Sequence, residues 1–361
     1  MSSMRWVGLD VHARETTGVV LDVASGVVES RRLAGRADRV LGWLETLERP
    51  FVAVYEAGPT GYGLARAAAA GGLDVRVCSP GHIVRNASDR VKTDQRDALR
   101  LARLLSAGEL RYVRVPPLAE EQLRDLVRAR EDVRVDLMRA RHRLSKFLLR
   151  RECHYPRPGR AWTGVHREWL RTLVFADRAS ELTYCDLLEA VDLLLSRRDR
   201  LERALGELAA ESGWAATIAR LRCLRGIDTL SAVGLCAEIG DFHRFPKPAR
   251  LSGFLGLVPS ESTSGERRRQ GAITKAGSRH ARRLLVEAAW HYRRPPRVST
   301  ALAKRQQEQD PRAIQIAWRA QRRLHDRWHA LEKIRGKPSQ VVAVAVAREL
   351  ATFTWEIATL D

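Results

Sequence analysis

Long hydrophobic runs are what this chain most lacks. No uninterrupted apolar stretch reaches the roughly 18 residues of a membrane span. The opening MSSMRWVGLDVHARE also has no extended apolar segment of the kind a secretory signal carries. Both absences point to the cytoplasm. Cysteine is sparse and unpatterned: Cys78, Cys153, Cys185, Cys223 and Cys236 are odd in number and form no CxxC pair. That argues against both a disulfide framework and a zinc site. The histidines, His12, His82 and His280 among them, show no ligand spacing and read as structural or phosphate-contacting groups. Lysine is scarce too, with seven residues among 63 Lys plus Arg. A GC-rich coding sequence trades lysine for arginine, but it does not create a net charge of +20.

That charge is the strongest global feature present. Sixty-three basic residues face 43 acidic ones and the pI is near 10.8. A polyanion meeting such a surface releases counterions, so nucleic acid is the expected partner. At 361 residues the chain has room for two or three domains with proper cores.

The first hundred residues read as α/β. Trp6 to Val11, Thr17 to Val23 and Val27 to Leu33 are short strand-like runs, with Ala24-Ser25-Gly26 as a turn. A helical pattern from Asp38 to Leu47, the buried-strand run FVAVYEA from Phe51, a helix from Gly61 to Ala70 and a strand from Asp74 follow. A meander followed by alternating helix and strand predicts a mixed sheet with helices on its faces. From Leu118 to about Arg151 there is no Gly or Pro, and apolar residues recur at near-heptad spacing. This predicts a long basic helix of coiled-coil type, with a second from Ala179 to Glu211 returning antiparallel. Ile218 onward is helix-rich, and LRCLRGIDTLSAVGLCAEIG reads as a helix-hairpin-helix or a plain helix pair around a turn.

Against this basic background the acids stand out. In VKTDQRDALRLARLL, Thr93 offers an N-cap hydroxyl, and Asp94 and Asp97 share a helical face in the first turn. First-turn acids also complement the helix dipole, which is the plainer explanation. Asp10 ends the strand WVGLD, and Glu56 ends FVAVYE just before Gly58, Pro59, Thr60 and Gly61. Strand-terminal acids often cap the next element. Four carboxylates brought together from strand ends and a nearby helix repel one another unless a cation is held, and hard oxygen ligands suit Mg²⁺ or Mn²⁺. Two such ions about 3.5 to 4 Å apart activate an attacking oxygen and stabilise a leaving oxygen at a phosphodiester.

A second cluster begins at Gly253. Ser264-Gly265 is followed by Arg267, Arg268 and Arg269, then Thr274-Lys275, Gly277 and a helix bearing Arg279, Arg282 and Arg283. Basic groups beside glycines suit a scissile phosphate and its developing charge. Ser264 reads either as a phosphate contact in a basic loop or as a nucleophile activated by neighbours.

Taken in order, GLDVH, YEAGPTG, KTDQRDALRLARLL, LRGIDTLSAVGLCAEIGDFHRF and GLVPSESTSGERRRQGAITKAGSRHARRLL resemble the insertion-sequence one-ten family of transposases, the bridge-RNA-guided DEDD recombinases. The likeness covers nearly the whole chain. It implies a ribonuclease H-like, Holliday-junction-resolvase-like catalytic domain over residues 1–110, a helical coiled-coil region over 111–215 and a small, mainly helical transposase domain over 216–361. It implies Asp10, Glu56, Asp94 and Asp97 as the catalytic and Mg²⁺-holding acids. Ser264 is then the nucleophile, with Ser260 and Ser262 as neighbouring alternatives. The same likeness implies donor and target DNA and a structured non-coding guide RNA as partners. Nucleic-acid contacts are expected from Lys92, Arg267, Arg268, Arg269, Lys275, Arg279 and Arg282. Pairs of dimers and a bacterial, nucleoid-associated location are implied as well. Asp228 and Ala281 depart from the family pattern, where glycine and leucine are usual. Two other classes stay open on residues alone: a metal-dependent junction nuclease that uses water, and a basic architectural or RNA-binding protein with structural acids.

Overall fold

A computed structural model gives the structure of residues 4–82, 93–157, 159, 161–264 and 267–360, with the side chains of 82, 263, 264 and 267–269 outside that description. Lys92 and Gly265 therefore lie outside the described residues. The chain divides into two units, Met1–Pro117 and Leu118–Asp361.

The first unit is a five-stranded sheet with helices. Its strands are β1 (Arg5–Val11), β2 (Glu15–Asp22), β3 (Val28–Ala34), β4 (Phe51–Glu56) and β5 (Val75–Cys78). Their order is β3-β2-β1-β4-β5, antiparallel among the first three and parallel from β1 through β4 to β5. The parallel steps need crossovers, supplied by α1 (Ala37–Glu45) and α2 (Gly63–Ala70). β4 lies between β1 and β5, and its FVAVY run is buried throughout, as expected of a strand covered on both faces.

Alternation along the strands sorts the two faces. Val7, Leu9, Phe51, Ala53 and Tyr55 join the core that contains Val40, Leu44, Leu64 and Ala68 of α1 and α2. Val52 and Val54 face the other way, against Leu101 and Leu105 of α3 (Asp94–Ser106). Gly8 lies on that second face, where a Cβ would fall 1.9 Å from the carbonyl oxygen of Ala98. Only glycine lets α3 approach β1 so closely.

The second unit is built on helices. α4 (Leu118–Arg150) and α6 (Arg178–Glu211) form an antiparallel pair. Leu123 and Val127 near the start of α4 pack with Leu205 and Ala209 near the end of α6, and Leu144 and Phe147 pack with Tyr184. α5 (Gly164–Thr172), between them, is a short helix that the Pro- and Gly-containing interruption concealed. Its Thr163 cap accepts the His166 amide.

The remainder of this unit comprises α7 (Ala215–Leu221), α8 (Thr229–Ile239), α9 (Pro248–Phe254), α10 (Arg279–Ala289), α11 (Thr300–Gln306), α12 (Pro311–His329) and α13 (Ser339–Ala358). α8 and α13 are buried along most of their length in one core. The segment expected as a basic loop is instead an antiparallel ribbon of β6 (Pro259–Ser264) and β7 (Arg267–Ile273). Ser, Glu, Arg and Gly carry little strand signal, and the cross-strand pairing that makes them a ribbon is invisible along the sequence. No described helix is long and apolar enough to cross a membrane.

Candidate active site

The same strand alternation that places Gly8 against α3 carries Asp10 to that face at the end of β1. On β4, Val52 and Val54 face α3, and Glu56 continues their series. β1 and β4 are parallel with Leu9 opposite Tyr55, so the two acids finish adjacent strands at the same edge. α3 begins there. Thr93, in extended backbone, accepts the Arg96 amide at 3.3 Å, which starts the helix at Asp94 and puts both aspartates in its first turn. Asp97 precedes Leu101 by four residues and shares the buried face of α3.

Asp10, Glu56, Asp97, His12 and Arg100 line one cavity of about 220 Å³, together with Gly58, Pro59 and Leu101. Ligand atoms of Asp10, His12 and Asp94 all lie within 4.8 Å of one another. The His12 Nε2 atom is 3.3 Å from an Asp10 carboxylate oxygen. Arg100 Nη1 donates to Asp97 at 3.1 Å, and both side chains are about one-fifth exposed.

Burial raises the Asp10 carboxyl above its usual range, His12 works against that, and the charges of Asp94 and Asp97 raise it further. Like charges gathered in a half-buried pocket are the condition that a cation relieves. Two aspartates and an imidazole within reach form a donor set suited to a divalent ion. Cys78, opposite Glu56 on β5, is pushed up to about 11 by burial and by Glu56, so its thiol stays protonated and is no competing soft ligand.

His12 and Arg100 had not been expected at the acids. Each carried a signal. His12 is two residues after Asp10 along a strand end, and Arg100 is three after Asp97 on a helix, spacings that return a side chain to the same face.

In the second unit the ribbon pairs Ser262 with Arg269, Thr263 with Arg268 and Ser264 with Arg267. Its base is fixed by backbone contact. The Thr274 amide donates to Val258 and the Lys275 amide to Gly256. A Cβ on Gly277 would fall 1.9 Å from the Phe254 carbonyl oxygen, and Gly277 has φ +65°. These glycines bring backbone to backbone. The Ser260 hydroxyl lies 2.5 Å from where a Gly271 Cβ would be.

Of the basic residues expected at nucleic acid, Lys275 and Arg279 are exposed at the start of α10. Arg282 instead clamps the base of the ribbon, donating at 2.8 Å to the carbonyls of Leu255 and of Ala276. Ser278 caps α10 by accepting the Ala281 amide. Beside it lies the buried carboxylate of Glu238, bonded to Arg128 at 3.0 Å and 3.7 Å from His280. Burial alone would raise Glu238, but the nearby His280, the hydrogen-bonded Arg128 and the Ser278 hydroxyl outweigh it and bring it down to about 2.

Comparison with known proteins supports a common origin along the chain. Residues 7–151 match the family model DEDD_Tnp_IS110, described as a transposase, and residues 218–302 match the one described as Transposase IS116/IS110/IS902 family. The chain is 43% identical over 304 residues to the "Putative transposase y4qE" of Sinorhizobium fredii, spanning 84% of this chain and 74% of that protein. It is 29% identical over 343 residues to the transposase for insertion sequence element IS1533 of Leptospira borgpetersenii, spanning 92% and 98%. Over 234 residues it is 25% identical to the transposase for insertion sequence element IS1111A of Coxiella burnetii, spanning 60% and 59%.

Proposed function

The chain belongs to the IS110 family of insertion-sequence transposases, enzymes that recombine DNA, and from that premise we propose that it exchanges DNA strands through a serine ester, guided by a structured RNA. The observation that carries the reading is the meeting of Asp10, Asp94 and His12 within 4.8 Å, with Asp10 and His12 lining one cavity together with Glu56 and Asp97. Strand order and connections around it support a ribonuclease H-like assignment of residues 1–110. The helical region 111–215 is the assembly element, and residues 216–361 carry the nucleophile.

Asp10, Glu56, Asp94 and Asp97 would hold Mg²⁺, with His12 beside them. When bound, the ion neutralises charge building on a phosphate and polarises its oxygens. The chain's own groups do the rest. The Ser264 oxygen forms a new bond to a DNA phosphorus, and one bridging P–O bond breaks. The freed deoxyribose oxygen takes up a proton, and the serine hydroxyl proton passes to solvent. A second deoxyribose hydroxyl then attacks the phosphoserine, which restores the serine hydroxyl and reforms a diester. One ester replaces another at each step, so rejoining needs no external energy source. The surplus of arginine holds backbone phosphates while pairing with the RNA selects the sequence.

The test is a suicide DNA substrate in a reconstituted reaction with RNA and both DNAs. Wild-type protein should yield a covalent protein-DNA adduct, and Ser264→Ala should yield neither adduct nor recombinants while RNA binding survives. Full recombination by Ser264→Ala would sink the nucleophile assignment. Cleavage without an adduct in wild type would favour hydrolysis by water, the junction-nuclease alternative. The non-coding DNA beside the coding frame should encode the RNA.

A further inference from the structure

The helix-hairpin-helix expected around Gly226 binds phosphate, where it occurs, through free amides at the start of its second helix. Here that position is filled from within. The Asp228 carboxylate caps α8, accepting the Ser231 amide at 2.8 Å, so the helix start already carries its negative charge. What surrounds the turn is a group of arginines assigned no role so far.

Three segments converge on it. A Cβ on Gly226 would lie 2.7 Å from the Ala288 carbonyl oxygen and 3.1 Å from the His291 ring, so the turn is pressed against the end of α10. Arg225 Nη1 donates to the carbonyls of Arg294 at 3.3 Å and Pro295 at 2.8 Å. The buried Gln321 accepts from the Arg297 amide at 3.0 Å and from Arg225 at 3.5 Å, tying the 294–297 segment to the turn. From α11, Arg305 donates to the Ile227 carbonyl and Gln306 to that of Cys223. Arg225 and Arg305 therefore form a framework.

Arg222, Arg294 and Arg297 differ. Among the described residues none of their guanidinium groups has a carboxylate within 4.0 Å or a hydrogen-bond acceptor, and Arg222 Nε is buried without a partner. What sets these three apart is that they gather at one turn, whereas arginines such as Arg283, bonded to Glu131 and Glu287, are engaged within the fold. His291 is pushed down by burial first and then by Arg225, Arg294 and Arg305. Asp228 is the carboxylate that opposes it.

We propose that the Arg222–Asp228 turn and the 291–297 segment form a binding site for a nucleic-acid sugar-phosphate backbone, with Arg222, Arg294 and Arg297 as the phosphate donors. The guanidinium groups are unpaired in the free chain because phosphate oxygens are their partners. The proposal deepens the function proposed above and rests on it for the class of ligand.

The experiment measures equilibrium binding of the full chain to a random-sequence DNA duplex and to a hairpin RNA of equal length. Salt is varied and EDTA is present, so that strand exchange plays no part. Arg294→Gln with Arg297→Gln is compared with Arg139→Gln plus Arg171→Gln, which removes the same charge from exposed arginines paired with Asp136 and Asp192. The 294/297 variant should lower the salt slope by about two on its ligand. Asp228→Asn, which keeps a capping side chain, should tighten binding to the same probe. An effect confined to DNA or to RNA identifies the source of the phosphates. Equal effects of the two double variants would mean that net charge alone acts, and would overturn the site. Because no cleavage is scored, that failure leaves the serine chemistry untouched. Loss of the covalent adduct in the suicide-substrate test would likewise leave this site standing.

Discussion

The acids of the first unit and the serine segment of the second are built on opposite plans. The acids hang on three elements tied to a common core: the ends of β1 and β4, and the first turn of an α3 held against β1. The serine stands in a two-stranded ribbon whose order derives from its base, where Gly256, Gly271 and Gly277 let neighbouring segments meet. Oxygen ligands for an ion must be fixed in advance, since a misplaced carboxylate is only a repelled charge. The nucleophile proposed for the ribbon would instead meet a phosphate that arrives with the nucleic acid. On the function proposed above, one reaction would draw on a ligand set fixed by a sheet and on a two-stranded ribbon, each stabilised by different physics.

The largest expected effect comes from removing a ligand without disturbing that scaffold. Asp97→Ala leaves the Thr93 cap and the apolar face of α3 in place, so folding measured by circular dichroism should be unchanged. Recombination in the reconstituted reaction should fall by at least about a thousandfold. Retained recombination would return Asp97 to the plain role of a first-turn acid facing a helix dipole.

A pair of glycine substitutions then separates the two plans. Gly8→Ala places a methyl 1.9 Å from the Ala98 carbonyl oxygen and forces α3, with Asp94 and Asp97, away from Asp10. Gly277→Ala meets the Phe254 carbonyl at the same distance and adds left-handed backbone strain at φ +65°. Each should cost about 1–3 kcal/mol of stability by overpacking, read as a lower Tm, with Gly277→Ala the costlier. Only Gly8→Ala should weaken divalent-ion binding in calorimetry. If Gly277→Ala weakened it equally, the two regions would not be separable in this way.

How legible each region was in the sequence follows the same division. The strands, the crossover helices and α3 were readable because alternation and helical spacing are local, and FVAVYEA and ALRLARLL carry them openly. The coming together of Asp10 and Glu56 followed from their ends of adjacent strands. His12 and Arg100 were overlooked although their spacing was in view, because a histidine or arginine acquires meaning only once its strand or helix face is known. The ribbon was not legible at all. ESTS and RRRQ have neither apolar alternation nor strong strand formers, and their pairing is held by contacts at Gly256 and Gly277. The arginines around Gly226 were hidden for a different reason: they converge from three separate segments, and sequence distance conceals such grouping.

An acid titration probes the second unit by itself. Glu238 sits well below its unfolded value at about 2, held there by His280, Arg128 and Ser278 against the cost of burial. A depressed carboxyl contributes stability that is complete above its unfolded value, near 4.5, and is lost as pH falls through about 2. Glu238→Gln should remove an increment on the order of 2 kcal/mol at neutral pH, discounted for the exposure of Arg128. It should also flatten the acid limb of the unfolding curve over that window. Because Ser278 and His280 stand at the start of α10, just past the base of the ribbon, the same variant tests whether that base needs a buried charge. An unchanged acid limb would show that Glu238 is no more stabilised in the folded chain than in the unfolded one.

The smallest effect belongs to His12, and it decides how far the ligand set extends beyond carboxylates. Its imidazole is 3.3 Å from Asp10 and more than half exposed, so its removal leaves the core of the sheet intact. If it only orients Asp10 or lowers the local repulsion, His12→Gln should weaken ion binding by about tenfold at most, because the oxygens remain and glutamine can still donate. If it ligates directly, selectivity should change along with affinity: an imidazole favours Mn²⁺ over Mg²⁺, and its loss should narrow the gap between those ions. Calorimetry with each ion on wild type and His12→Gln reads both quantities. A uniform loss assigns His12 to the support of Asp10, an ion-dependent loss to the metal itself, and no loss on either ion removes it from the site while leaving the four acids where β1, β4 and α3 hold them.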